Sequence, residues 1–381
     1  MNQVRYGIIG IGNMGSGHAA ILTSGKIKGA VLTAVCDAFE SKREWAKEQY
    51  GAGVAVFENA TAMIGSGLVD AVVIATPHYD HPTEAIAAFA QGVHVLVEKP
   101  AGVYVKQVRE MNEAAAKSGK TFGIMYNQRM NPLYQKLRDL ISTGEIGDVR
   151  RINWIITNWY RPQAYYDSGT WRATWAGEGG GVLINQCPHN LDLWQWTTGM
   201  MPTRVRAFCQ FGKHRDIEVE NDVTAYAEYA NGATAVFITS TSDAPGTNRL
   251  EVTGSRGKIV IEDDRMTMYR LREDEADFNA RNTVPFASPE VWKIELPKAG
   301  PSPEHAGILQ NFTDAVLNGA PLVAPGEEGI LGLTLSNAIH LSTWLDDWVD
   351  LPLDEAVHEA ELNKRIASSK FKRPQPAEAR N

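Results

Sequence analysis

The sequence predicts an α/β protein: an N-terminal doubly wound domain, then an α+β domain built on a large, mostly antiparallel open sheet. Three observations carry this expectation. From Val4 to about Met125, apolar runs alternate with helical patterns, the order that yields a parallel sheet wrapped by helices. After Gly147 strand-like runs follow one another across short turn signals, as antiparallel pairing requires. At 381 residues, 44% of them hydrophobic, the chain is long enough for two cores. The expected division is 1–127, 128–365 and a polar C-terminal tail over 366–381, frayed from Ser368 onward.

In chain order, the first domain reads as strands over Val4–Ile9, Val31–Cys36, Ala71–Ala75, Val93–Val97 and Thr121–Met125. Between them Glu40–Tyr50 is helical and stops at Gly51, Pro82 opens a helix that stops at Gly92, and Val105–Lys117 stops at Gly119. Proline at the start and glycine at the stop match the unpaired donors and acceptors of helix ends. The second domain reads as strands over Val149–Thr157, Val205–Phe211, Val223–Glu228, Ala233–Ser240, Arg249–Thr253, Lys258–Glu262 and Met266–Leu271. Turns at Asn231-Gly232 and Ser255-Arg256-Gly257 join some of them. Residues 274–302 are polar and irregular, and helices over Pro303–Asn318 and Gly329–Asp346 close the chain.

A formal net charge of −8 with no long basic run argues against a nucleic-acid partner, which needs a basic face. No stretch of 18 apolar residues offers a membrane span. The N-terminus enters a strand with no signal-peptide pattern, so the expected location is cytoplasmic. Cys36, Cys187 and Cys209 are odd in number and widely spaced, which fits a reducing compartment and small buried apolar residues.

The chemistry starts at Val4–Gly15, VRYGIIGIGNMG, where an apolar run meets a GxGxxG turn, with Asp37 ending the next apolar run 22 positions on. This arrangement binds a dinucleotide: Gly10 turns the chain, Gly12 admits a pyrophosphate, and Gly15 lets the helix pack on the strand. Free N–H groups at the helix start then meet the phosphates. Asp37 accepts bonds from the adenosine ribose and repels a 2′-phosphate, favouring NAD over NADP. Lys42 and Arg43 follow closely and read as a solvated helix face.

Glu98-Lys99-Pro100 leaves the carboxyl end of a predicted strand, the edge where open α/β sheets bind ligands. An ammonium there stabilises the alkoxide left by hydride transfer or helps move its proton. In Gly179–Gly199 a helical reading puts Asn185, His189, Asp192 and Trp196 on one stripe. His189 is then a candidate general base, oriented by Asp192 or Asn185. Trp154, Trp159, Tyr160, Tyr165, Tyr166, Trp171 and Trp175 crowd one segment; such rings suit a sugar face or, equally, a subunit contact. His78 and His81 form HxxH without further ligands, so they read as a cofactor-edge loop and not a metal site. His18 reads as a packing or oligomer residue.

The glycine turn, Ala75-Thr76-Pro77, Glu98-Lys99-Pro100, Asn127-Gln128-Arg129 and WRATWAGEGGG followed by His189 and Asp192 together resemble the Gfo/Idh/MocA family of NAD(P)-dependent oxidoreductases, over residues 4 to about 353. The resemblance implies a Rossmann domain, a second domain whose open sheet forms homodimers or homotetramers, and a carbohydrate or cyclitol substrate. It implies that Gly10, Gly12, Asn13, Met14, Gly15, Asp37, Thr76, Pro77, His81, Glu98, Lys99 and Asn127 hold NAD. Lys99 and His189 become the catalytic pair, and Lys99, Arg129, Tyr160, Arg172, Asn185 and His189 the substrate contacts. Asn185 stands where many members have aspartate, and an amide cannot relay a proton. The expected activity is oxidation of a secondary hydroxyl by hydride transfer to nicotinamide. The alternatives are an NAD-dependent glycosidase working by transient oxidation and elimination, and a non-catalytic dinucleotide-sensing regulator.

Overall fold

A computed structural model describes residues 2–169 and 171–371. Six parallel strands form the first sheet: β1 (Val4–Ile9), β2 (Ala30–Cys36), β3 (Ala55–Phe57), β4 (Ala71–Ile74), β5 (His94–Val97) and β6 (Phe122–Ile124). Their order is β3-β2-β1-β4-β5-β6, so the winding reverses between β1 and β4 and opens a crevice at the carboxyl ends of those strands. Central strands are covered on both faces, and β4 is buried at every residue, hence the unbroken apolar runs in the sequence. The short edge strand β3 was not expected. Three half-buried residues are too few for a period-2 pattern, and β3 forms through its pairing with β2 from Ala34–Ala55 to Cys36–Phe57.

The second sheet has nine strands: β7 (Val149–Ile156), β8 (Arg204–Phe211), β9 (Glu220–Glu228), β10 (Thr234–Ser240), β11 (Asn248–Gly254), β12 (Gly257–Glu262), β13 (Arg265–Leu271), β14 (Val291–Leu296) and β15 (Val349–Asp350). They run in the order β14-β13-β12-β11-β7-β10-β9-β8-β15. All neighbours are antiparallel except β7 and β10, which run parallel. Residues 274–302 are not wholly irregular: they form a helix at Glu275–Arg281 and the edge strand β14. An edge strand has one hydrogen-bonded neighbour and little core to cover, so its sequence stays polar.

One face of this sheet buries Ile152, Trp154, Ala225, Phe237 and Val252 against the helices Pro132–Ser142, Pro188–Thr198 and Gly329–Leu345. The other face leaves Phe208 56% and Tyr226 38% exposed. Trp194 stacks on Phe237 at 5.3 Å. Two of the crowded aromatics thereby resolve as core: Trp154 packs on Tyr134 and Phe237, and Trp175 on Phe211, His340 and Trp344.

The closing helices return to the first sheet. Ile308, Leu309 and Phe312 of the helix Glu304–Asn318 join the same core as β1 and β6, and Thr313 Oγ1 meets the Tyr6 hydroxyl at 2.7 Å. Helix Glu355–Ser368 extends into the expected tail, and Ser369 is buried with its hydroxyl donating to Glu218 at 2.7 Å. Fraying from Ser368 is therefore corrected for residues 368–371; the rest of that tail lies outside the described residues.

Helix Pro188–Thr198 is buried on nearly every side although it carries Asn190, Asp192, Gln195, Thr197 and Thr198. Arg129 makes this possible. Its guanidinium is fully buried and binds Asp192 through Nε at 2.8 Å and Nη2 at 2.6 Å, while Nη1 reaches Glu328 at 2.5 Å. Tyr126 and Trp196 lie under the same cation at 5.3 and 5.2 Å. Replacing Arg129 by Met strands a buried carboxylate and is expected to lower stability by about 3–5 kcal/mol. Adding Asp192→Leu should recover most of the loss, and urea unfolding of the single and double variants measures both.

Candidate active site

The turn after β1 is shaped to admit a ligand. Gly10 has φ +86°, a Cβ on Gly15 would stand 1.8 Å from the Gly10 carbonyl oxygen, and Gly12 has no described atom within 4 Å of its Cβ position. Two glycines are thus demanded by the protein, and the third faces open space. Helix Asn13–Thr23 begins here with no side-chain cap and no acidic residue in its first turn, leaving donors for a phosphate. Asn13 and Met14 are exposed at that end. Asp37 accepts Ile11 N–H at 2.8 Å and Phe39 N–H at 2.9 Å, which fixes its carboxylate beside the turn. Arg43 Nη1 donates to the carbonyls of Asp37 and Ala38, so it braces this loop rather than only facing solvent.

Across the crevice, Thr76 donates to Glu84 at 2.6 Å and Pro77 is exposed. His81 is buried, with Nδ1 2.8 Å from the Pro100 carbonyl and Nε2 2.9 Å from that of Thr76. Its ring staples the Thr76 loop to the Lys99 loop, so its part is positioning and not the cofactor contact anticipated. His78 Nδ1 lies 3.1 Å from the Glu178 carbonyl. Among the described residues no group of three or more His, Cys, Asp or Glu is placed to hold a metal ion.

Beneath the Lys99 loop, His18 Nε2 meets Glu98 Oε1 at 2.6 Å, with both side chains buried. Glu98 Oε2 accepts the Lys99 N–H at 3.0 Å. Burial alone would raise the Glu98 carboxyl, but the bond and charge of His18, helped by Lys99, hold it down at about 2. The His305 ring, at the start of the helix Glu304–Asn318, stands 5.6 Å from that of His18. Its neighbour Glu304 accepts Asn127 Nδ2 at 2.6 Å, and Asn127 Oδ1 is a buried acceptor without a partner among the described residues.

Lys99 Nζ donates to the Asn185 carbonyl at 2.8 Å. Burial lowers its ammonium below the ordinary lysine range, against the pull of Glu98, Glu178 and Cys187. His189 is the one residue of its helix that is not fully buried, and its ring lies edge-on to Tyr126 at 6.1 Å. Burial first, then the charge of Lys99, push it down to about 3, so its ring is unprotonated throughout the physiological range.

The helical stripe is corrected at both ends. Pro188 starts the helix, which leaves Asn185 in the preceding turn, and Asp192 is consumed by Arg129 and does not orient His189. Arg129 is likewise removed from the substrate contacts by its burial. Tyr160 is exposed with its ring under Arg215 at 5.2 Å. Arg172 lies 3.9 Å from Glu178.

Glu178 was missed by the sequence reading, although it stands inside WRATWAGEGGG. Its carboxylate accepts Asn185 Nδ2 and, at 2.7 Å, the N–H of Ala173, whose φ of 51° is a left-handed conformation costing about 1–2 kcal/mol. Burial pushes Glu178 up to about 7 against these donors and Arg172. The negative charge absent at position 185 is therefore supplied one side chain further back. Only its place directly before the triple glycine could have flagged it.

A dinucleotide turn that opens beside a desolvated lysine and a neutral imidazole defines a nicotinamide-dependent oxidoreductase. Residues 4–126 match the oxidoreductase family with NAD-binding Rossmann fold, and residues 134–260 match the GFO/IDH/MocA C-terminal domain. The chain belongs to the Gfo/Idh/MocA family. It is 24% identical over 340 residues to inositol 2-dehydrogenase of Rhizobium meliloti, covering 88% of this chain and 95% of that enzyme. It is 25% identical over 358 residues to myo-inositol 2-dehydrogenase of Thermotoga maritima, covering 93% and 100%. Among solved structures, the WlbA dehydrogenase from Bordetella pertussis, in complex with NADH and UDP-GlcNAcA, superposes with a TM-score of 0.76 at 25% identity over 92% of this chain and all of that one.

The glycine turn separates stability from binding. Gly15→Ala is expected to destabilise the protein by about 1–3 kcal/mol through overpacking, whereas Gly12→Ala should leave the melting temperature within a degree or two and weaken NADH binding at least tenfold. Thermal unfolding and calorimetry distinguish the two.

Proposed function

We propose that the protein oxidises a secondary hydroxyl of a sugar or cyclitol with NAD. The observation that carries this reading is the amine of Lys99 held in the cleft by a neutral carbonyl and not by a carboxylate, next to a neutral His189. Gly10, Gly12, Asn13, Met14 and Gly15 would hold the pyrophosphate and Asp37 the adenosine ribose. Thr76, Pro77, Glu98 and Asn127 would frame the nicotinamide end, to which bound NAD brings the hydride acceptor. Lys99 Nζ orients the hydroxyl and stabilises the oxygen as negative charge develops on it. His189 takes the proton. Asn185 bonds a neighbouring hydroxyl, and Arg172 a more distant polar group of the substrate. The names of the two inositol dehydrogenases support a polyhydroxylated ring as substrate.

Asp37 also supports NAD over NADP, because a carboxylate fixed at the end of β2 would bond the adenosine ribose and repel a 2′-phosphate. The half-exposed face with Phe208 and Tyr226 supports a homodimer or homotetramer, with Phe208→Lys expected to shift the mass seen by light scattering toward the monomer.

Three kinetic outcomes test the chemistry. Lys99→Met should lower kcat/KM about 10²–10⁴-fold with NADH affinity retained; full turnover in that variant defeats the reading. In the oxidising direction the rate should fall as pH rises through the lowered pKa of Lys99, since the charged ammonium is what stabilises the developing alkoxide. Glu178→Gln deletes a charge that favours the protonated amine, so it should move that fall to lower pH. A panel of inositols and monosaccharides with NAD and NADP, followed by absorbance of the reduced coenzyme, measures all three.

A further inference from the structure

The loop after β7 and the turn between β8 and β9 bring together a group of cations that hydroxyl oxidation does not need. Arg161 lies over the rings of Trp159 at 5.6 Å and Tyr165 at 5.0 Å, Arg215 over Tyr160 at 5.2 Å, and Arg172 over Tyr165 at 5.0 Å and Trp171 at 4.8 Å. Beyond this stacking, Arg161 and Arg215 bond only to main-chain carbonyls: Arg161 Nη1 to Tyr160 at 3.0 Å, Arg215 Nε to Arg161 at 2.8 Å, and Arg215 Nη1 to His214 at 2.6 Å. Neither pairs with a carboxylate among the described residues, and Arg161 Nε and Arg215 Nη2 are buried donors with no acceptor there. The nearest acid to Arg172 is Glu178, which already serves Asn185 and Ala173.

Many arginines elsewhere in this acidic chain are matched with acids, as in Arg5 with Asp70, Arg109 with Glu355 and Arg204 with Glu228. Half-buried guanidinium groups with unused donors are unfavourable in the free protein. They are complementary to a carboxylate or phosphate, which accepts two donors of one guanidinium at once.

Their position ties them to the reacting end. The Tyr165 hydroxyl accepts Arg172 Nη1 at 3.1 Å and Gln186 Nε2 at 3.3 Å, and Gln186 follows the residue whose carbonyl holds Lys99 Nζ. One tyrosine ring separates Arg161 from that contact. We infer that the substrate carries an anionic group, a carboxylate or a phosphate, away from the carbinol that is oxidised, and that Arg161, Arg215 and Arg172 bind it. The reacting end rests on the dehydrogenase reading above; the anion site rests on its own contacts.

The test uses the full chain with glucose, glucuronate, glucose 6-phosphate and UDP-glucose. Oxidation by NAD reads turnover, and calorimetric titration into NADH-loaded protein reads binding without turnover. At least one anionic sugar should exceed glucose tenfold or more in kcat/KM or affinity. Arg161→Gln with Arg215→Gln should erase that advantage while melting temperature, NADH affinity and the response to glucose stay within twofold. Preference for glucuronate assigns the anion as a carboxylate, and preference for either phosphate ester assigns it as a phosphate. The inference is overturned if glucose matches every anionic sugar, if the variant weakens all four alike, or if only its oligomeric mass changes. If none is oxidised but an anionic sugar still binds through the arginines, the anion site stands by itself, and the panel of inositols and monosaccharides decides the dehydrogenase reading.

Discussion

The cleft depends on keeping one ammonium where water scarcely reaches, without seating a carboxylate on it. Lys99 Nζ donates to a main-chain carbonyl, while the two nearby acids are otherwise engaged: Glu98 with His18 and the Lys99 N–H, Glu178 with Asn185 and Ala173. They are close enough to oppose the desolvation of the amine and too well occupied to neutralise it. An ion pair at Nζ would bind the same amine more firmly and offset the charge that it offers a hydroxyl.

Holding it so requires the surrounding backbone to be rigid, and buried acids supply much of that rigidity. Residues 179–187 form no regular element between Gly179 and the helix at Pro188. Glu220 accepts the N–H groups of Gly181 at 2.8 and 2.9 Å and of Leu183 at 3.0 Å, and faces His340 at 2.9 Å. Arg129 and Asp192 do the same for the helix that presents His189. Each polar group satisfied in this way takes the place of a hydrogen bond that a helix or strand would otherwise have provided. His81 extends the device to the first domain by bridging its two cofactor-edge loops.

How much of the site could be read in advance followed chain distance. The glycine turn and Asp37 are legible because their tasks are local: a sharp turn, a close helix and an acid ending the next strand. Lys99 is legible because it leaves a strand at the edge where such sheets bind ligands. Asn185 and His189 were identified from a helical spacing that Pro188 does not permit, yet both line the cleft, since the turn before the helix brings the Asn185 carbonyl to Lys99. His305 was invisible. Its helix was expected, but nothing near it in sequence reveals that the helix starts beside His18.

The amino-acid sequence by itself determined the two sheets, the dinucleotide turn and the residues bearing an amine and an imidazole, because periodicity, glycine geometry and strand ends are properties of short contiguous segments. Only the tertiary structure decided which charges are spent and which remain. Arg129 and Asp192 cancel one another across 63 residues, Glu178 stands behind Asn185, and Arg161 and Arg215 stay without an acid. Whether a charged side chain is paired depends on which distant segment packs against it, and no local pattern records that.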